Sequence, residues 1–411
     1  MSAAASLQPA RPWLAIVGIG EDGVEGLTGP ARALVERASL VVGGVRHLAL
    51  ADRLIRGERM AWPSPIAAAF PSIMARRGQD VAVLASGDPY CYGIGTALGG
   101  LVPAAETVCV PAISAFSLAC ARLGWALQDV TTLSFCGRKL EAVMPLLQPG
   151  ARLLTLSADG ATPAALAGLL CRYGFGHSVL HVLESLGGKR ERVRRFVAEG
   201  GLPGDIAALN TVAVEVVAGR HARIISLACG LTDEAFEHDG QLTKREIRAA
   251  TLSALAPRAG ETLWDVGCGS GSVAIEWVLR HPANRAVAIE ARADRAARAG
   301  RNALALGAIR VEVRLGEAPA VLAGLPIPDA VFVGGGAQDA GVLDLCWSAL
   351  RPGGRMVANA VALDSQALLF AIQARWGGTL TRLAVERLDM IGSMRAFRPA
   401  MAVVQWVGTK P

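Results

Sequence analysis

Lysine is nearly missing from this chain. Of its 41 basic residues only Lys139, Lys189, Lys244 and Lys410 are lysines; the others are arginines. The excess fits a base-composition bias or a polyanionic ligand, because the guanidinium fork pairs carboxylates bidentately. Net charge is +6, yet no basic run is interleaved with aromatics, so nucleic acid is not an expected partner. The eight cysteines are scattered and contain no C-x-x-C pair. That argues against a zinc site and a disulfide framework, and points to a reduced, cytoplasmic protein. No Ser-His-Asp set and no metal-ligand cluster is visible, so no metal is expected. The uncharged stretch Pro89–Ala105 is broken by glycines and Pro103, too often for an apolar membrane span. The N-terminal MSAAASLQPARPW lacks a charged region followed by an apolar one, so it does not read as a secretory signal.

What is present is dominated by one stretch, Leu263–Ser272, LWDVGCGSGS. Leu263–Val266 is a short apolar run carrying Asp265 and reads as a buried strand. It stops at Gly267-Cys268-Gly269-Ser270-Gly271, and the periodic stretch Val273–Leu279 reads as a helix. Glycines let the backbone turn at positive φ and let a ligand approach with no Cβ in the way. The spacing is G-x-G-x-G, not the dinucleotide G-x-G-x-x-G. The next strand, Ala286–Ile289, ends at Glu290, about 20 residues on, where a nucleotide site needs a carboxylate for ribose hydroxyls. Gly316-Glu317-Ala318-Pro319, the strand in Pro328–Gly336 and Leu350–Asn359 (LRPGGRMVAN) follow. Five markers in this order describe a class I S-adenosylmethionine (SAM) methyltransferase domain. Methyltransferases acting on base nitrogens place an [DNS]-P-P-[YF] motif after the fourth strand. Here that place holds Val333-Gly334-Gly335-Gly336-Ala337, which argues against a nucleic-acid substrate.

A length of 411 residues favours two domains. In the first half, the strand Trp13–Val17 runs into Gly18-Ile19-Gly20-Glu21-Asp22-Gly23, a literal G-x-G-x-x-G. The second strand, Ser39–Val42, ends in Gly43-Gly44-Val45-Arg46-His47 with no acid, and a helix begins only near Pro30. A dinucleotide site is therefore not expected there. The third apolar strand, Val81–Ala85, ends in the polar loop Ser86-Gly87-Asp88-Pro89, at the place where open α/β sheets bind ligands. Thr107–Val110 follows, then Ser114 as a cap for the helix Phe116–Leu123. Further strands are expected at Thr131–Phe135, Arg152–Leu156, Ser178–Leu183 and Thr211–Val217, with a helix at Pro163–Tyr173. The boundary falls within Ala218–Asp239, giving domains 1–224 and 235–411. Thr243 and Glu246 have capping-box spacing for a helix over Lys244–Ala254.

The first half resembles the tetrapyrrole (precorrin) methylases in GIGEDG…LT (Gly18–Thr28), SGDP…YGIG (Ser86–Gly95) and PAISAFSLACARLGW (Pro111–Trp125). The second half is similar to the decarboxylating precorrin methyltransferases in TKREIRA (Thr243–Ala249), WDVGCGSGS, GEAP, FVGGG and LRPGGRMVANAV (Leu350–Val361). Together they resemble the fused methyltransferases of cobalamin biosynthesis. The implied fold is α/β, a class III tetrapyrrole-methylase-like domain fused to a Rossmann-like class I SAM domain. Cys136-Gly137-Arg138 departs from the His-Gly-Arg expected of the family in that loop.

The resemblance implies two SAM-dependent methylations of precorrin-6B, at bridge carbons C5 and C15, with loss of CO2 from the ring C acetate. The N-terminal domain would methylate C5; the C-terminal domain would methylate C15 and decarboxylate. It implies one SAM site per domain, a polycarboxylate tetrapyrrole substrate and a homo-oligomer. Another substrate, such as RNA or a different tetrapyrrole, is the alternative. A binder that does not turn over is a further reading, though it has no need of two unlike methylase units. In the C-terminal domain Gly267, Cys268, Gly269, Ser270 and Gly271 would let the cofactor approach. Glu290 would take its ribose and Glu317 and Ala318 would border adenine. Gln241 and Thr243 would sit over the cofactor by resemblance. Lys244, Arg395 and Arg398 are candidates for substrate carboxylates, and Asp265 is read as holding the glycine loop. In the N-terminal domain the cofactor residues are Gly18, Gly20, Asp88, Gly93, Ser114 and Ala115. No residue is assigned a catalytic acid–base role. The sulfonium is already activated and a reduced tetrapyrrole's bridge carbons are enamine-like. Alignment, worth about 7–11 kcal/mol, is the protein's main task.

Overall fold

A computed structural model describes residues 12–334 and 340–411. The N-terminal 1–11, and with them most of the stretch tested for a secretory signal, lie outside the described residues, as do Gly335, Gly336 and Ala337. The chain divides into two compact units. The first runs to Arg138 and resumes over Gln148–Arg223; the second holds Lys139–Leu147 and Ile224–Pro411.

The first unit contains two sheets. One consists of β1 (Leu14–Ile19), β2 (Leu40–Gly43), β3 (Glu58–Ala61), β4 (Val81–Ser86) and β5 (Thr107–Val110), all parallel, in the order β3-β2-β4-β1-β5. Alternation along β1 divides its side chains between two cores. Ala15, Val17 and Ile19 pack with Ala31, Leu34 and Val35 of the helix Gly29–Arg37, while Leu14 and Ile16 pack with Ile73 and Leu98. Burial on both faces explains why β1, β2 and β4 read as unbroken apolar runs. The second sheet consists of β6 (Val130–Ser134), β7 (Arg152–Leu156), β8 (Val179–Glu184), β9 (Arg192–Val197) and β10 (Asn210–Glu215), in the order β6-β7-β10-β8-β9. Only β6–β7 is parallel.

Two of these strands correct the sequence reading. Before Val81–Ser86, the third apolar strand, comes the unexpected edge strand β3. Its residues ERMA are mostly exposed and carry no apolar alternation. β9, RVRRFV, reads as a basic stretch. In the fold Arg192 and Arg194 both grip the buried carboxylate of Glu184, at 2.7 and 3.1 Å.

The second unit has one seven-stranded sheet. Its strands are β11 (Thr262–Val266), β12 (Arg285–Glu290), β13 (Val311–Leu315), β14 (Ala330–Val333), β15 (Arg355–Ala360) and β16 (Thr379–Leu383), plus the last strand of the chain. An antiparallel hairpin, β17 (Glu386–Ile391) and β18 (Met394–Pro399), precedes that last strand, β19 (Val403–Thr409). The order is β13-β12-β11-β14-β15-β19-β16, parallel from β13 to β15. The chain winds outward from β11 to β13 and then returns to β14 on the other side of β11. That reversal opens a crevice at the carboxyl ends of the strands.

The helix over Arg245–Leu255 starts one residue later than the capping-box reading requires. Lys244 is its N-cap and no side chain caps it. Thr243 is held instead through its carbonyl, which accepts from Arg248, and Glu246 turns to Arg387. Arg248 is fully buried; its Nε donates to Glu276 at 2.6 Å and its Nη1 to Asp233 at 3.2 Å. A buried arginine without such partners would be strongly destabilising. Glu276 also accepts from the Gly230 and Leu231 N–H groups, which fastens the segment after Arg223 to the second unit. Among the described residues no helix is long and apolar enough to cross a membrane. All eight cysteines are free.

Candidate active sites

In the first unit the loops leaving β1, β2 and β4 converge on a cavity of about 370 Å3. It is lined by Gly20, Asp88, Gly93, Ser114 and Ala115 among the expected residues. Asp88 accepts the Tyr90 N–H at 2.9 Å. Ser114 caps the helix Ala115–Leu123 by accepting the Ser117 N–H at 3.1 Å. Gly18 lies behind this lining. A Cβ there would stand 1.9 Å from the Gly87 carbonyl oxygen, so glycine is needed for strand-to-loop contact. The G-x-G-x-x-G loop runs into a short 3-10 turn, Gly23–Gly26, and no α-helix N-terminus faces a ligand from it.

The sequence reading passed over a polar cluster in the same wall. Arg46 is paired with Glu21 and donates to Ser86 Oγ at 2.8 Å and to His47 Nε2 at 2.9 Å. Burial, with Arg46 beside it, pushes the His47 imidazole down to about 4, so His47 is neutral and Arg46 is the cation here. The cluster's signal in the sequence is the Val45-Arg46-His47 that follows β2. Cys136, in place of the expected histidine, lines the cavity and its thiol donates to the Ser157 carbonyl.

In the second unit a cavity of about 840 Å3 opens at the switch point. Of the residues singled out in the sequence, Gln241, Thr243, Lys244, Gly267, Cys268, Gly269, Glu290, Glu317 and Ala318 line it. Gly267, Gly269 and Gly271 all have positive φ, at 71°, 56° and 76°, the left-handed region that glycine enters without steric cost. Glu290 is buried; its carboxylate accepts the Gly269 N–H at 2.9 Å and the Arg292 N–H at 3.0 Å. Ser270 and Gly271 turn away from the cavity. Ser270 is buried, and Gly271 starts the helix Ser272–Leu279. Asp265 accepts the Ala274 N–H at 3.0 Å and so ties the loop to that helix. Burial pushes its carboxyl up to about 7, against the pull of that N–H and with the Glu290 charge adding. Burial likewise raises the Cys268 thiol, so it is not a thiolate nucleophile.

The substrate-side assignments come apart. Lys244 lines the cavity, but Arg395 and Arg398 sit on the exposed β17–β18 hairpin outside the lining. Arg398 pairs with Asp389 at 3.1 Å. Arg387 of the same hairpin lines the cavity in their stead, as does Asn359 at the end of β15. Periodicity could not have told these arginines apart: Arg387 and Arg398 are directly opposed across the hairpin, and they differ in that Arg387 pairs with Glu246 of the cavity wall while Arg398 pairs with Asp389.

Residues 14–200 match the family described as tetrapyrrole (corrin/porphyrin) methylases, and residues 234–410 match the precorrin methyltransferase domain. A Sinorhizobium protein named precorrin-6Y C(5,15)-methyltransferase (decarboxylating) is 53% identical over 97% of this chain and 97% of its own length. The chain belongs to the decarboxylating precorrin-6Y C(5,15)-methyltransferases. Two shorter relatives each cover part of it. A Salmonella typhimurium cobalt-precorrin-7 C(5)-methyltransferase is 33% identical over 44% of this chain and 88% of its own length. A Saccharolobus solfataricus protein named probable cobalt-precorrin-6B C(15)-methyltransferase (decarboxylating) is 34% identical over 33% of this chain and 71% of its own.

As a precorrin-6Y C(5,15)-methyltransferase family member the chain is an enzyme of the methyltransferase class, with SAM as methyl donor. The second unit's residues fit that group. Three left-handed glycine positions carry no side chain that would hinder close approach to the loop backbone, and Glu290 offers a buried carboxylate at the end of β12.

Proposed function

We propose that the two units carry two different reactions on one tetrapyrrole, each with its own SAM site. The first unit methylates C5 of a precorrin-6B-type substrate. The second methylates C15 and removes CO2 from the ring C acetate. The observation that carries this reading is the pair of cavities. Each lies at the carboxyl ends of parallel strands of its own unit, and each is lined by a different set of matched motifs. The two shorter relatives, named for the C(5) and the C(15) reaction singly, support the same division.

Bound SAM supplies a methyl group on a sulfonium, already activated for displacement. What the chain must do is orient and exclude water. In the second unit Gly267 and Gly269 let the cofactor lie against the backbone, Glu290 holds its ribose, and Glu317 and Ala318 border the adenine. Gln241 and Thr243 lie over it. In the first unit Gly20, Asp88, Gly93, Ser114 and Ala115 take the corresponding parts. Lys244 and Arg387 meet substrate carboxylates, for which an arginine-rich chain is suited. The apolar wall formed by Val342, Val361 and Val403 strips water from the acetate, and a desolvated carboxylate held in line with a conjugated macrocycle loses CO2 more readily. The macrocycle takes up the electron pair as the C–CO2 bond breaks, and the former acetate carbon then takes a proton from water to become a methyl group, so no side chain needs to act as acid or base. The reading also includes a cytoplasmic setting and self-association, supported by the apolar surface of the β17–β18 hairpin.

The test is mass spectrometry of the product formed from precorrin-6B and SAM, by the wild-type chain and by Glu290→Ala. Two added methyl groups and one lost CO2 are expected from the wild type. The variant should give neither C15 methylation nor decarboxylation. An unchanged substrate mass with wild-type protein that still binds SAM would refute the substrate assignment.

A further inference from the structure

We propose that Asn359 is the group of the second unit's cavity that holds the acetate about to leave as CO2, and that Thr251 and Gln405 position its amide. This rests on the proposed decarboxylation in that unit and names the residue that serves it. Along β15, Met356, Ala358 and Ala360 belong to the core. Arg355 and Asn359 point from the other face, where they reach the helix Arg245–Leu255. Arg355 donates to the Leu255 carbonyl and Asn359 Nδ2 to Thr251 Oγ1, both at 2.9 Å.

Gln405 of β19 stands opposite Asn359. Its Nε2 donates to Thr251 Oγ1 and to Asn359 Oδ1, both at 3.0 Å. Thr251 and Gln405 are buried, and between them they lock the Asn359 amide. Of the two N–H donors on Nδ2, Thr251 takes one; the other has no partner among the described residues. Asn359 is 9% exposed and lines the cavity. The second N–H is what the network leaves for a ligand.

Its place in the sheet selects the ligand. In the order β12-β11-β14-β15, Glu290 ends β12 and the glycine loop follows β11. Strands stand ~4.8 Å apart, so Asn359 lies about 10 Å across the sheet from that loop, on the side away from Glu290. The ribose and adenine contacts are on the far side, which leaves the methyl acceptor for Asn359. The lining residues of β15, β19 and the helix Leu363–Trp376 are Asn359, Ala360, Val403 and Ser365, and none is charged. The cations Lys244 and Arg387 come from other elements and suit carboxylates that stay. In decarboxylation the charge leaves the carboxylate for the macrocycle, CO2 departs, and water supplies a proton to the remaining carbon. A contact stronger in the ground state than in the transition state slows that step. A cation on the acetate would be such a contact; one neutral N–H orients it and opposes its loss least.

The test is CO2 release from precorrin-6B and SAM by the full chain, with S-adenosylhomocysteine affinity measured alongside. Asn359→Leu is expected to lower kcat for CO2 release at least ~10-fold, the scale of one hydrogen bond to a charged group, with KM and S-adenosylhomocysteine affinity unchanged. Thr251→Val keeps the packing and removes the oxygen, and should lower kcat in the same direction. Thr251→Ser returns the oxygen and should recover most of that loss. Unchanged CO2 release in Asn359→Leu would overturn the assignment. So would a raised KM at constant kcat, which would make Asn359 an ordinary anchor. A loss in Thr251→Ser as large as in Thr251→Val would assign the network to packing and overturn it too, even if Asn359→Leu fails to fold. Wild-type protein that binds S-adenosylhomocysteine but releases no CO2 would overturn the proposed decarboxylation itself, and the assignment with it.

Discussion

Asp265 is a carboxyl group strongly changed by its surroundings. It is 1% exposed, accepts one N–H through Oδ2, and its Oδ1 has no partner among the described residues. In an unfolded chain an aspartate loses its proton near 4; in the fold burial holds it to about 7. Between those values the folded state binds the extra proton, so this residue's contribution to stability falls as pH rises through that window. Asp265→Asn keeps an acceptor for the Ala274 N–H and carries no charge to desolvate. It is expected to flatten the decline between pH 4 and 7 and to gain ~1–3 kcal/mol at pH 8. Urea unfolding of both proteins across that range checks it, and parallel pH curves would remove Asp265 as the cause. Glu290 was legible from spacing alone, because an acid at the end of the second strand is a local pattern. The hydrogen bonds that orient Asn359 were not, since they join it to Gln405 and Thr251, 46 and 108 residues away in the chain.

Among the elements, the β17–β18 hairpin stands apart from the second unit's seven-stranded sheet. Leu388 and Phe397 are directly opposed on one of its faces, and Ile391 and Met394 on the other. All four are between 51% and 69% exposed. Apolar surface of this density marks an association site more often than a solvated edge. Leu388→Glu with Phe397→Glu is expected to shift the protein to a smaller species in sedimentation velocity. SAM affinity should be unchanged, because neither residue lines the cavity. Identical sedimentation of the double variant would exclude the hairpin from any assembly. This element was invisible in the sequence, where Glu386–Pro399 shows neither helical nor strict strand periodicity. β3 and β9 were missed for the same reason. Edge strands lack the two-sided burial that made β1, β4, β11 and β12 plain. The capping box at Thr243 failed differently, because buried Arg248 took the Thr243 carbonyl and fixed the helix entry one residue later.

For the whole molecule, the question is why two unlike methylases share one chain. The two cavities are each lined from a single unit; under the proposed division of labour each reaction has its own cofactor contacts and can be disabled alone. Gly93→Val would push a side chain into the Pro89 carbonyl, where even a Cβ stands at 2.4 Å, and should block the first unit's reaction. Glu290→Ala should block the second unit's. The first variant is expected to yield a product with one methyl added and CO2 lost, and the second a product methylated at most once with all its carboxyls retained. Mixing the two variants then tests how an intermediate moves. If it passes through solvent, the mixture restores the doubly methylated, decarboxylated product at a rate that rises with protein concentration. If it is handed over within one chain, the mixture stays far below wild type at any concentration, and the fusion itself carries a function. A single variant that lost both reactions while still binding SAM would contradict the division of labour between the units.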